Sequence, residues 1–70
     1  MELKKGIYRH FKGNRYRLLY VAKHSETMEP MVVYRALYGE GGLWVRPAAM
    51  WLEQVDRDSY CGPRFQYIGE

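Results

Sequence analysis

The chain has a single cysteine, Cys61, in 70 residues. That excludes an internal disulfide, and with no C-x-x-C spacing it excludes the commonest zinc sites. Two histidines, His10 and His24, are too few to complete a metal shell, so neither a metal nor any other cofactor is expected. No apolar run approaches the roughly 20 residues that span a membrane. The opening Met1-Glu2-Leu3-Lys4-Lys5 lacks the apolar core of a signal peptide. A lone thiol without a leader points to the cytoplasm. There is no internal repeat, low-complexity stretch or linker, and residues 1–70 read as one domain. No complete catalytic or nucleotide-binding signature is present. Nor is one sign of charge dominant: 11 Lys and Arg against 8 Asp and Glu leave a net charge of +3. An anionic partner is compatible with that balance but not demanded by it.

What the chain does have is aromatic residues, at 16% of its length. A chain this short buries only roughly 60% of the surface that its unfolded form exposes. Aromatic rings bury much area per side chain and stand in for the missing staples.

The rings and basic residues sit in short alternating runs, the pattern of half-buried strands. Ile7-Tyr8-Arg9-His10-Phe11 puts Ile7, Arg9 and Phe11 on one face and Tyr8 and His10 on the other. Lys12-Gly13-Asn14 reads as a turn. A second strand runs from Arg15 to Lys23, with Tyr16, Leu18, Tyr20 and Ala22 sharing a face. A polar loop, His24 to Pro30, leads to the clearest strand, Met31 to Tyr38. The glycines of Gly39-Glu40-Gly41-Gly42 demand a turn. Leu43-Trp44-Val45-Arg46 is a further strand, and Pro47 suits the start of a helical turn over Pro47–Met50. Trp51 to Val55 alternates as a strand, Asp56 to Ser59 reads as a turn with Cys61 beside it, and Arg64 to Ile68 is the last strand.

Five or six short strands with one helical turn predict an all-β domain, a small SH3-like barrel whose closure removes exposed edges. An OB-like barrel or an α+β arrangement is the alternative. One or both of Trp44 and Trp51 should plug the interior.

The polar and aromatic candidates follow from this layout. His24-Ser25-Glu26-Thr27 combines an imidazole, two hydroxyls and a carboxylate, which suit the stabilising of a turn first, ligand contact second and catalysis last. Tyr8 and His10 share a face and suit a half-buried pair or a stacked base and phosphate. Lys12 adds charge beside them. Arg35 and Arg46 need a carboxylate partner or an anionic ligand. Trp44, with Trp51, Tyr34 and Tyr38, suits an aromatic wall.

The blocks Gly6-Ile7-Tyr8-Arg9-His10-Phe11-Lys12-Gly13, His24-Ser25-Glu26-Thr27, Val32-Val33-Tyr34 and Trp44-Val45-Arg46-Pro47 resemble, in order, a small bacterial domain-of-unknown-function family, DUF family 1653. The resemblance spans Gly6 to about Ile68. It implies a small β-rich bacterial cytoplasmic domain and carries over no activity or site residue.

Three functions are expected in descending order. The first is a binding module for an anionic ligand, nucleic acid or nucleotide, using Tyr8, His10, Lys12, His24, Ser25, Glu26, Tyr34, Arg35, Trp44 and Arg46. The second is a protein- or peptide-binding adaptor centred on Trp44 and Tyr38. The third is a small hydrolase-type enzyme built on His10, His24 and Glu26.

Overall fold

The computed structural model describes residues 3–57 and 59–70, and of Arg57 the backbone alone. Alternation in the sequence becomes two faces of one curved antiparallel sheet. Its strands are β1 (Gly6–His10), β2 (Arg15–Lys23), β3 (Pro30–Ala36), β4 (Leu43–Pro47) and, after an excursion, β7 (Phe65–Gly69). The excursion holds the helix α1 (Ala48–Trp51) and a hairpin of β5 (Gln54–Arg57) and β6 (Tyr60–Pro63). The sheet order is β4-β3-β2-β1-β7, so the last strand returns beside the first. Among the described residues no helix is long and apolar enough to cross a membrane.

The all-β reading holds, but closure does not. The sheet is open, with β4 and β7 at its two edges. Side chains take the place of the missing ladder. The Arg46 guanidinium of edge strand β4 lies 5.5 Å from the centre of the Phe65 ring on edge strand β7. Trp51 stacks on Phe65 at 3.8 Å between centroids and an interplanar angle of 2°. The two edges of the curved sheet are thus joined by rings and a cation rather than by backbone hydrogen bonds.

Trp51 is the hub of the interior. Its indole is 1% exposed and also meets Tyr8 at 5.3 Å and Tyr34 at 5.0 Å, both edge-on. Tyr8, Leu18, Val32, Tyr34, Ala48 and Phe65 complete the cluster. The helix exists to deliver this ring: Pro47 presets the turn, the Leu52 amide closes it on the Ala48 carbonyl at 3.0 Å, and Ala48 and Trp51 point inward. The expected plug is therefore Trp51, whereas Trp44 is 58% exposed.

Three expectations along the chain change. Trp51 belongs to the helix and not to a strand, so β5 starts at Gln54. The ring could be buried from the helical position and not from an alternating one. Tyr60 to Pro63 is a strand paired with β5, where the sequence suggested only turn-flanking residues. Asp58, within the expected turn, lies outside the described residues, as do Met1 and Glu2.

The third change concerns β2. Leu18 pairs with Tyr34 but Tyr20 pairs with Val33, so Leu19 is an extra residue. This bulge exchanges the faces of the strand. Tyr16 and Leu18 face inward, while Tyr20 stands opposite Val33 on the outer side and is 60% exposed. The four residues expected on one face are split two and two.

At Gly6, with φ of +141°, an added Cβ would come 2.6 Å from the Gly69 carbonyl oxygen. Only glycine allows β7 to approach β1 this closely.

Trp51→Ala is expected to cost about 3–5 kcal/mol, as large-to-small aromatic changes in cores do. A chain of this size has a total stability of about 4–10 kcal/mol, so the variant should be partly unfolded at 37 °C. Trp51→Phe should lose clearly less, because it also removes the buried indole Nε1, which has no hydrogen-bond partner. Urea unfolding measures both. An alanine variant within about 1 kcal/mol of the parent would contradict the central role of the ring.

Candidate functional site

The β1–β2 turn is held by the His10 amide donating to the Asn14 carbonyl at 2.8 Å and the Gly13 amide donating to the His10 carbonyl at 2.7 Å. Gly13 has φ of +108°, which this turn requires. The result places His10 at the end of β1, facing inward and in register with Phe65 of β7. Its imidazole is half-buried among rings. Phe11 lies 4.6 Å away, Phe65 meets it edge-on at 5.0 Å, and Tyr16 approaches at 6.4 Å. The Lys12 amide donates to Nδ1 at 3.2 Å. With Nδ1 accepting, Nε2 carries the proton of the neutral ring and is its donor.

Cations surround this imidazole. Burial lowers the His10 pKa from its ordinary 6.5, and Arg64, Arg46 and Lys12 lower it further by repulsion. Arg64 binds Glu53 at 3.0 Å, and that is the one ion pair among the described residues. The ammonium of Lys12 sits 5.9 Å over the Phe11 ring, and Arg46 rests on Phe65. Neither has a carboxylate within ion-pair reach among the described residues.

Rings extend the site on both sides. Phe11 stacks on Tyr60 of β6 at 5.6 Å. Tyr16 meets Tyr38 edge-on at 5.6 Å, and their hydroxyls are 3.1 Å apart. Burial and the Tyr38 hydroxyl push the Tyr16 phenol up to about 12. It therefore stays a neutral hydrogen-bonding group at any ordinary pH. The ensemble is a cationic patch with ring walls and an imidazole N–H, suited to an anion attached to a planar group.

The structure brings together His10, Lys12 and Arg46 from the sequence-derived candidates. Tyr8 and Tyr34 lie beneath them, 5% and 6% exposed, as core residues, with the Tyr8 hydroxyl donating to the Lys4 carbonyl at 2.8 Å. His24 sits beyond the far end of β2 from His10. The nine residues of β2 separate the two by about 30 Å at strand rise, so His10, His24 and Glu26 do not form one catalytic set.

The His24 Nδ1 accepts from the Glu26 and Thr27 amides at 3.0 and 3.3 Å and organises its own loop. Ser25 and Glu26 are exposed there. Arg35 points to the outer face, donating to the Gly41 carbonyl at 3.1 Å. The exposed Trp44 indole lies over Gly42, where an added Cβ would come 3.3 Å from Nε1. The aromatic wall is thus divided: Tyr34 and Trp51 are buried, while Trp44, opposite Tyr34 on the same side of the sheet, and Tyr38, against Tyr16, are exposed.

Phe11, Tyr16, Arg64 and Phe65 join the site although they were not among the candidates. The arginine beside Pro63 and the phenylalanine after it looked like the start of a last strand. Only the pairing of β7 with β1 sets them beside His10. Among the described residues no group of three or more His, Cys, Asp or Glu side chains could hold one metal ion.

His10 should titrate below 6.5 when followed by NMR. The unfolded chain binds this proton at the ordinary value and the folded chain only at lower pH. Between the two, the unfolded state holds more protons, so stability rises with pH. This contribution is complete above pH 6.5 and is lost as pH falls through the folded value. Arg46→Gln should move the midpoint back toward 6.5; an unmoved midpoint would show that Arg46 does not act on the ring.

A family model described as "Protein of unknown function (DUF1653)" matches residues 6–67. No curated protein matches the chain. A crystal structure of a DUF1653 protein from Bordetella bronchiseptica is similar to it, with a TM-score of 0.89 and 40% sequence identity. The match covers 97% of this chain and 90% of that one. The resemblance noted in the motif blocks thus extends to the whole fold, and the chain belongs to the DUF1653 family.

Proposed function

We propose that this chain is a binding module for a phosphate-bearing ligand with a stackable base, a nucleotide or a single-stranded nucleic acid. The ligand is held at the His10 site. Lys12, Arg46 and Arg64 receive the phosphate, the His10 Nε2–H donates to it, and Phe11 and Tyr16 flank the base. One observation carries the reading: a half-buried imidazole stands among three cations, only one of which is paired with a carboxylate. Concentrated positive charge beside half-buried rings favours phosphate and base together. The single thiol, Cys61, is free and exposed, which suits action in a reducing compartment, the cytoplasm.

Fluorescence anisotropy with a labelled oligouridylate tests this. Three phosphate contacts on a single strand give a log–log salt slope of about −2, so affinity should fall roughly twentyfold between about 50 and 200 mM salt. Arg46→Ala should weaken binding and flatten the slope by about 0.7. Bound phosphate should raise the His10 midpoint, since the protonated ring binds the anion better. Competition by uridine monophosphate at equal strength would identify the nucleotide as sufficient. Absence of binding by both probes at low salt would reject the proposal.

A further inference from the structure

The outer face of the sheet has a composition that folding does not explain. Directly opposite residues in antiparallel strands share a side. Arg9 of β1 stands opposite Arg15 of β2, and Arg17 of β2 stands opposite Arg35 of β3. Like charges directly opposite one another are destabilising. None of the four has a carboxylate within ion-pair distance among the described residues. The next rows are apolar: Leu43 of β4 faces Arg35, and Val45 faces Val33, which in turn faces Tyr20. Leu43, Val45 and Tyr20 are 58%, 63% and 60% exposed.

No outward position of β1 to β4 or β7 is acidic. Glu70, after β7, lines a cavity of about 230 Å³ together with Lys5 and Arg17 but forms no ion pair with either among the described residues.

We infer that this outer face docks a protein partner whose surface presents carboxylates flanked by apolar side chains. Arginine, tyrosine and aliphatic residues without lysine or acid among them are the composition of an interface centre. Paired guanidiniums hold carboxylates through two parallel hydrogen bonds, and a carboxylate between two facing arginines removes their repulsion. A second copy of the chain docked outer face to outer face does not fit, since it brings arginines and no carboxylate. A nucleic acid fits poorly, because the face offers one exposed ring, Tyr20, and the Lys5 ammonium already lies 5.0 Å over it.

A fluorescein-labelled peptide alternating glutamate with leucine is the probe. Binding should shift backbone amide NMR signals of β2, β3 and β4 at outward positions. Arg17→Gln combined with Arg35→Gln should weaken binding about tenfold or more. The same double variant should melt a few degrees higher than the parent, which shows that its loss of binding is not loss of fold. Arg46→Ala, which tests the His10 site, should leave peptide affinity unchanged. No binding, shifts confined to the residues around His10, or affinity indifferent to the double variant would each overturn the inference. So would an oligouridylate that binds this face more tightly than the peptide and is lost with the same two arginines.

Discussion

The Trp51–Phe65 stack is the contact on which the rest of the molecule depends. The sheet is open, and a small open sheet has no ladder to hold its curvature. Parallel rings 3.8 Å apart tie the helix to strand β7, and Arg46 reaches from β4 to the same phenylalanine. A fully buried aromatic ring removes about 200 Å² from water, worth about 5 kcal/mol as an upper figure. That is comparable with the whole stability of a 70-residue chain. Phe65 also turns its ring toward the edge of His10. The residue that closes the interior is therefore also the floor of the proposed site around His10, and that site can be no more rigid than the stack beneath it.

Position along β7 is set in turn by β1. The ladder between them slips at Ile7 and Tyr8, and Gly6 lets the Gly69 carbonyl pass where a side chain would stand. Without that approach, His10 and Phe65 would lose their register. The geometry of the site is thus traceable to one glycine, one bulge and one ring.

Much of this was legible in the sequence, and the failures have physical reasons. Alternation placed Tyr8 and His10 together on one face of β1, and the structure makes that the inner one, because a regular two-residue period maps onto two faces. The same reasoning failed for Tyr20 and Ala22, since a bulge leaves no mark in the hydrophobic pattern and exchanges faces beyond it. Alternation also misplaced Trp51, where Pro47 had already begun a helix. His10, Lys12 and Arg46 could be chosen by residue type. Arg64 and Phe65 could not, because their role depends on β7 returning to β1, a non-local pairing. His24 carried the right chemistry in the wrong place: its ring acceptor is consumed by its own loop.

Places where a sequence acts against local stability tend to mark function. Here there are two, and they lie on opposite sides of one sheet. Inside, an imidazole is kept below its ordinary pKa by burial and by cations that repel it. Outside, arginines face arginines across two ladders. The period of the strand keeps these strains apart: Tyr34 of β3 points into the core while its neighbour Arg35 points out. A one-residue slip of β3 would exchange them, burying a guanidinium and exposing a ring of the core. Register therefore guards both surfaces at once, and the bulge at Leu19 is what reconciles them. It lets the inner half of β2 keep Tyr16 and Leu18 against the core while the outer half hands Tyr20 to the exposed face. With regular pairing, Tyr20 would crowd an interior that Trp51 already fills, and the outer apolar rows would lose their one ring.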